Sequence, residues 1–327
     1  MSRGHSYSRL QVPSDAPFKL KSSPGKGWGA FATRHIDRGA LILSEMPLFV
    51  IRKPHPEITE GDVWIAFQQL DPGQKQQISH LRDNASRQFT SLEKAFAGNS
   101  FHLAPQSNEL SAHGLFLLQS RFNHSCIPNS KVPTTNGEII TRFATKDIVA
   151  GEEITFCYNT DFEGRTGHER HQVLGFACDC RACLPGTPFQ QSSDLRRRLV
   201  RRLQYLTLGV DLEGQKQSSD SSIIVDPRLK HAAETFSIPL SSRLVYGLLS
   251  ICLLEEEGLL DDFMVERLSP SVFTAAKLFT RKNNAKIAGL VMKQGTWPEK
   301  LFMSFRLYGR EDAADHELSK LMSLLRK

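Results

Sequence analysis

Three cysteines fall within six residues in Cys178-Asp-Cys180-Arg-Ala-Cys183, and thiolates this close can converge on one metal ion. A structural zinc takes four ligands in a tetrahedron with Zn–S about 2.3 Å, so the cluster needs one more donor. Cys126 is the preferred fourth ligand, because Asn123-His124-Ser125-Cys126-Ile127-Pro128-Asn129 reads as a polar loop. Cys157 lies in an apolar strand and Cys252 in a helical stripe, where a small buried hydrophobe is the ordinary occupant. The cluster has no activating base beside it, so metal outranks redox chemistry.

Three further segments carry chemical side chains. Pro24-Gly-Lys26-Gly27-Trp28-Gly-Ala-Phe31 is glycine-rich, which lets a backbone approach a ligand closely. It is not a phosphate loop, since no Gly-Lys-Ser/Thr follows and it feeds a strand instead of a helix. His124 beside Ser125 is not a hydrolytic pair: neighbours in an extended segment point apart, and no Gly-x-Ser-x-Gly elbow is present. Gly151-Glu-Glu-Ile-Thr-Phe-Cys-Tyr158 ends on a tyrosine that, taken alone, reads as a strand residue capping a core.

The elements that must position these groups follow from hydrophobic period. Residues 1–17 read as a polar arm. From Phe18 to about Val50, glycines punctuate short apolar runs such as Ala40-Leu-Ile-Leu43 and Leu48-Phe-Val-Ile51, which predicts short strands. From Glu60 to about Gly98, Val63, Phe67, Leu70, Ile78, Leu81, Phe89, Leu92 and Phe96 take helical spacing, broken at Asp71-Pro72-Gly73. A second strand zone runs from Gly114 to Thr160, with Ile139, Thr141 and Phe143 alternating with polar neighbours and Ile154, Phe156 and Tyr158 on one face. Gly214 to Ser222, rich in Gln, Ser, Lys and Asp, reads as a linker, and the rest reads as helical, with one stripe at Leu244, Leu248, Ile251 and Leu254.

Composition sets the outer limits. With 327 residues, 40% hydrophobic, 23% charged and 20 Phe against 5 Tyr and 3 Trp, the chain has the makings of about two globular domains and is neither disordered nor coiled-coil in character. The longest nearly apolar run, Leu244 to Leu254, is well short of the ~20 residues a membrane span needs. No apolar stretch follows Met1 to Arg9, so the expected setting is nuclear or cytoplasmic, not secreted. Net charge is 41 − 35 = +6, much of it in Arg196, Arg197, Arg198, Arg201 and Arg202. These read either as a nuclear-import or nucleic-acid patch or, as we prefer, as the solvated face of a helix capped at Ser192 to Asp194 with Leu195, Leu199, Leu203 and Leu206 inward.

Taken together, Gly25 to Phe31, Arg121-Phe-Asn-His-Ser-Cys-Ile-Pro-Asn129, Gly151 to Tyr158 and the cysteine cluster follow the order and spacing of a SET domain with its post-SET zinc segment. Over Phe18 to Leu184 the chain most resembles the fungal and SET-and-MYND branch of protein lysine methyltransferases. The resemblance implies an α+β chain: a SET β fold with a pseudoknot at residues 18–160, a helical insert at about 56–112, a post-SET zinc segment at 161–188, a basic helix and linker at 189–222, and a helical C-terminal region at 223–327.

It also implies roles. Lys26, Gly27 and Trp28, largely through backbone, would hold the methionine end of S-adenosylmethionine, with Asn123 and His124 on its amino group and adenine and Phe176 stacked on the adenine. Tyr158 would face the transferring methyl, Cys126 would complete the zinc site with Cys178, Cys180 and Cys183, and the partner would be a protein presenting a lysine. The chain departs from these relatives in having no cysteine from Arg52 to Ser111, where the MYND finger would stand, and in carrying Leu174 at a channel position often occupied by tyrosine, which Phe162 could complete. The alternative use of the same residues is a zinc-stapled SET module that binds protein without turnover.

Overall fold

A computed structural model describes residues 5–83, 86–103, 111–133, 137–208, 250–251 and 253–264, with side chains in the last helix before residue 209 described to Arg201. The chain divides into two compact units, residues 1–158 and 159–327. Helices and strands are mixed, as an α+β SET fold requires.

The first unit begins with a 3-10 turn at Ser6–Arg9 and strands β1 (Phe18–Ser23), β2 (Gly27–Ala32), β3 (Leu41–Glu45) and β4 (Val50–Ile51). Helices α1 (Glu60–Gln68), α2 (Pro72–Ser79) and α3 (Leu92–Ala97) follow, then β5 (Ser100–Leu103), β6 (Ala112–Leu115), β7 (Asn123–His124), β8 (Ser130–Lys131), β9 (Ile140–Ala144) and β10 (Glu153–Phe156). Among the described residues three small sheets form, ordered β1-β2-β10-β7, β3-β9-β8 and β4-β6-β5. The pairings among the described residues are antiparallel except β7 with β10, where Asn123 lies opposite Thr155 and His124 opposite Phe156.

Local chemistry explains the helix boundaries. Thr59 and Asp62 form a capping box that starts α1, and Asp71 with Gln74 does the same for α2, with Pro72 in its first turn. The Asp-Pro-Gly break is thus also a start signal. Between β1 and β2 the chain turns at Gly25 and Gly27, with φ of +73° and +79°, a region costly for residues bearing a Cβ.

Several expectations need correction. The expected polar arm is anchored: Tyr7 and Leu10 are buried, and the Tyr7 hydroxyl donates to Arg82 O at 2.9 Å while accepting from Arg82 N at 3.0 Å. The expected helical insert closes with a strand, because Ser100 to Leu103 finds a partner in Leu115 to Ala112. In β9 the inward residues are Ile140, Arg142 and Ala144, not Ile139, Thr141 and Phe143. The sheet is one residue out of the expected phase because a fully buried arginine occupies a core position, and a one-residue slip exchanges the two faces.

In the second unit, α4 (Gly167–Leu174) starts at a Thr166–Glu169 capping box and ends at Gly175 with φ of +71°. Helix α5 (Pro188–Leu208) begins before the expected cap at Ser192 to Asp194. Its inward residues are Ser193, Arg197 and Val200, whereas Leu195 is exposed and Leu199 half-buried. The reason is Glu257, a buried carboxylate that accepts from Arg197 Nε at 2.9 Å and Arg196 Nε at 2.7 Å and so draws the arginine side of the helix inward. Arg201 donates to Glu169 at 2.9 Å, so three of the five arginines of the basic stretch are held by internal carboxylates. Leu203, Leu206, Cys252, the expected linker and most of the expected C-terminal helices lie outside the described residues or side chains; Ile251 and Leu254 are buried.

Candidate active site and cysteine cluster

The first unit gathers its motif residues around the parallel pair of β7 and β10. The chain from Asn123 to Ser130 stays bonded alongside β10: Ser125 N donates to Phe156 O at 3.0 Å, Thr155 N to Asn129 Oδ1 at 2.8 Å, and Ser130 Oγ to Thr155 O at 2.8 Å. Asn129 Nδ2 adds a 2.9 Å bond to Glu153 O. This lacing fixes Asn123 and His124 at one end of β10 and delivers Tyr158 just past the other residues of that strand.

Asn123 Nδ2 donates to Glu153 Oε1 at 2.7 Å and to Trp28 O at 3.2 Å, and Lys26 Nζ lies 3.7 Å from Glu153 Oε2. The β2 backbone, β7 and β10 therefore meet through one carboxylate. A Cβ at Gly29 would stand 2.3 Å from Glu153 Oε1 and 2.7 Å from Asn123 Nδ2, so position 29 admits only glycine if these groups are to stay in place. The arrangement is half-buried, bipolar and lined by backbone, which suits the ammonium and carboxylate of an amino-acid moiety.

His124 is buried, accepts from Tyr158 N at Nδ1 (3.1 Å) and has Nε2 3.3 Å from Cys126 Sγ. Its ring and that of Tyr158 meet edge to face at 5.1 Å. Nearly half of Tyr158 is exposed, yet its hydroxyl turns inward and donates to Phe122 O at 3.3 Å. Burial pushes the phenol above its usual 10, against the pull of Arg121 and Arg142.

Lys26, Gly27, Trp28, Asn123, His124 and Tyr158 are thus neighbours within one unit. Trp28 is covered by the His5 ring, stacked at 4.4 Å, and by the edge of Tyr7. Sequence reasoning assigned no role to Glu153, Arg142, Glu45, His5 or Tyr7. Glu153 had a signal in the Glu-Glu pair ahead of the strand. Glu45 had none, although its buried carboxylate accepts from Leu117 N, Leu118 N and Gln119 N at 2.9, 2.9 and 2.7 Å and so holds the turn leading into β7.

In the second unit the sulfurs of Cys178, Cys180 and Cys183 lie within 4.8 Å of one another. The segment is wound by Cys183 N and Leu184 N donating to Cys180 O at 2.7 and 2.9 Å. None of the three is in a disulfide, and Arg170 donates to Cys183 Sγ at 3.3 Å while Cys178 N donates to His171 Nε2 at 3.2 Å. Sulfurs bound at about 2.3 Å to one tetrahedral ion are roughly 3.8 Å apart, so this donor set fits a thiolate-bound metal. Cys126 in the first unit is buried and Cys157 half-buried. Phe176 follows α4 and is 42% exposed, whereas Phe162 is fully buried and serves the core.

Comparison with known proteins agrees with this geometry. The family model for the SET domain matches residues 27–159. The chain is 30% identical over 291 residues to histone-lysine N-methyltransferase set5 of Schizosaccharomyces pombe, covering 86% of this chain and 81% of that protein. It is 42% identical over 77 residues to protein-lysine N-trimethyltransferase SMYD5 of Danio rerio, 22% of this chain and 19% of that one, and 40% identical over 76 residues to histone-lysine N-methyltransferase SET5 of Meyerozyma guilliermondii, 21% and 15%. Motifs, fold and kinship over most of a whole relative converge: the chain belongs to the SET-domain protein-lysine methyltransferases.

Proposed function

We propose that the protein transfers methyl groups from S-adenosylmethionine to lysine side chains of proteins, with histones, the substrate class named for its relatives, among them. The observation that carries this reading is the convergence of Lys26, Asn123, His124 and Tyr158 on the β7–β10 pair. When bound, the cofactor supplies an electrophilic sulfonium methyl. Lys26, Gly27, Trp28 and Asn123 would hold its amino-acid end, with Glu153 beside the amino group, and Phe176 would lie on its adenine.

Displacement at a sulfonium methyl requires an aligned, neutral amine more than it requires acid or base groups, and alignment can supply several kcal/mol of the barrier. In this reading Tyr158 performs that alignment, with its hydroxyl held by Phe122 O. Its raised pKa keeps it a hydrogen-bonding phenol throughout the working range. Free lysine titrates near 10.4, so the enzyme must also favour the unprotonated amine. Cys178, Cys180 and Cys183, with Cys126 as fourth ligand, would bind one structural zinc.

The test is transfer of labelled methyl from S-adenosylmethionine to core histones and whole-cell protein, beside Tyr158→Phe. Label that fades in the variant is the expected result. Cofactor binding by calorimetry without transfer to any protein would overturn it.

A further inference from the structure

Arg142 is a buried cation whose hydrogen-bond partners, among the described residues, are neutral. It is fully buried, its guanidinium carbon 4.1 Å from the Phe122 ring and 4.2 Å from the Phe156 ring. Its hydrogen bonds go to neutral groups: Gln119 Oε1 at 2.9 Å, Ser130 Oγ at 3.2 Å and Gln119 O at 3.4 Å. The same two phenylalanines hold Tyr158, whose ring is 4.9 Å from that of Phe156 and whose hydroxyl rests on Phe122 O. Arg121, next in sequence to Phe122, is also buried; it donates to Asn99 Oδ1 and Ser120 Oγ and lies 4.4 Å from the Tyr7 ring.

We propose that Arg142 and Arg121 are positioning charges whose field at Tyr158 keeps the acceptor lysine in its neutral, nucleophilic form. The inference rests on reading Tyr158 as the residue beside the reacting amine. Burying an unpaired cation is costly, and two of them flank one tyrosine. The other charged and titratable groups facing these residues do not cancel the field. Lys26 and Glu153 pair with each other at 3.7 Å. His124 is engaged at both ring nitrogens, by Tyr158 N at Nδ1 and Cys126 Sγ at Nε2. The Tyr7 phenol is bonded to the Arg82 backbone. Glu45, the nearby carboxylate, is spread over three backbone N–H groups, and its burial raises its pKa, which weakens it as a counter-ion.

A lysine entering as ammonium meets this field at Tyr158, and nearby like charges disfavour its protonated form. Its proton leaves to water. The freed lone pair then forms the new N–C bond as the C–S bond of the methyl donor breaks, and the positive charge passes from sulfur to nitrogen.

The experiment follows kcat against pH from 6.5 to 9.5, with mixed core histones as acceptor, in the parent, Arg142→Met and Gln119→Glu. Gln119→Glu keeps the arginine and sets a carboxylate against its Nε, cancelling the charge at the loss of the Gln119 Nε2 bond to Ile140 O. Both variants are expected to move the acid limb up by about one pH unit, giving kcat about tenfold lower at pH 7.5 and recovering at pH 9.5. Calorimetric binding of S-adenosylmethionine and a thermal melt establish that each variant is folded. The limb is not that of Tyr158, whose pKa lies above its usual 10. A loss equal at every pH, or an unmoved limb, overturns the field while leaving the enzyme reading intact; no transfer by the parent at any pH overturns both.

Discussion

Asn123 and Glu153 share a 2.7 Å hydrogen bond across the space a side chain at position 29 would fill. Glu153 is at the same time 3.7 Å from Lys26. One carboxylate thereby ties the turn before β2, the start of β7 and the start of β10.

Gly29→Ala tests that tie. The new methyl meets the far ends of two side chains, which can move, so the fold survives with a loss of about 1 kcal/mol. The Asn123–Glu153 bond does not survive. Cofactor binding measured by calorimetry should weaken at least about tenfold, the factor that corresponds to about 1.4 kcal/mol. Affinity equal to that of the parent would show that the carboxylate is structural and that Asn123 is not held for a ligand.

Glu45 bears on stability instead. Its removal in Glu45→Ala strands the buried N–H groups of Leu117, Leu118 and Gln119, at about 1–3 kcal/mol for a typical orphaned group, and a total of roughly 3–5 kcal/mol. Glu45→Gln keeps an acceptor and should cost about half as much. Denaturant unfolding of both variants decides it, and equal stability of Glu45→Ala and parent would refute the capping role.

How far the sequence could be read follows from these residues. Asn123, His124, Tyr158 and the clustered cysteines were legible because their chemistry and spacing are local, and a strand or turn carries them together wherever it goes. The phase of β9 was not legible: Arg142 reads as a surface residue until Phe122 and Phe156, 20 and 14 positions away, are seen to enclose it. The inward side of α5 was hidden for the same reason, since Arg197 turns in only because Glu257 lies 60 residues on. Glu45 answers to N–H groups more than 70 residues distant. Long-range polar partners override the hydrophobic pattern, and one strand or helix in isolation holds no trace of them.

Metal content checks the cysteine assignment. Protein purified without chelator should carry one zinc per chain, and Cys178→Ser should lose more than half of it. A four-ligand zinc contributes several kcal/mol, and about 1 kcal/mol moves the midpoint of a domain of 150 to 250 residues by about 2–4 °C. Chelation is therefore expected to lower the thermal midpoint by at least about 5 °C. Metal-free protein with an unchanged midpoint would remove the site.

Acid should also weaken the fold, by way of His113. Its ring lies between His55 and His102, with centroids 5.2 Å from each. Burial, reinforced by those two imidazoles, holds its pKa below the usual 6.5, and His5 and His80 are lowered likewise by burial and nearby arginines. Between the lowered folded pKa and 6.5 the unfolded chain binds more protons than the folded one, so stability rises with pH through that window. This contribution is complete above about 6.5 and is lost as the pH falls. Glu45 works the other way, because its raised pKa favours the folded state at low pH. The difference between parent and His113→Asn isolates the histidine from that opposing slope: the gap between their thermal midpoints should narrow from pH 7.5 to pH 5.5. A gap that stays constant across that interval would mean that the three rings share no proton-linked strain.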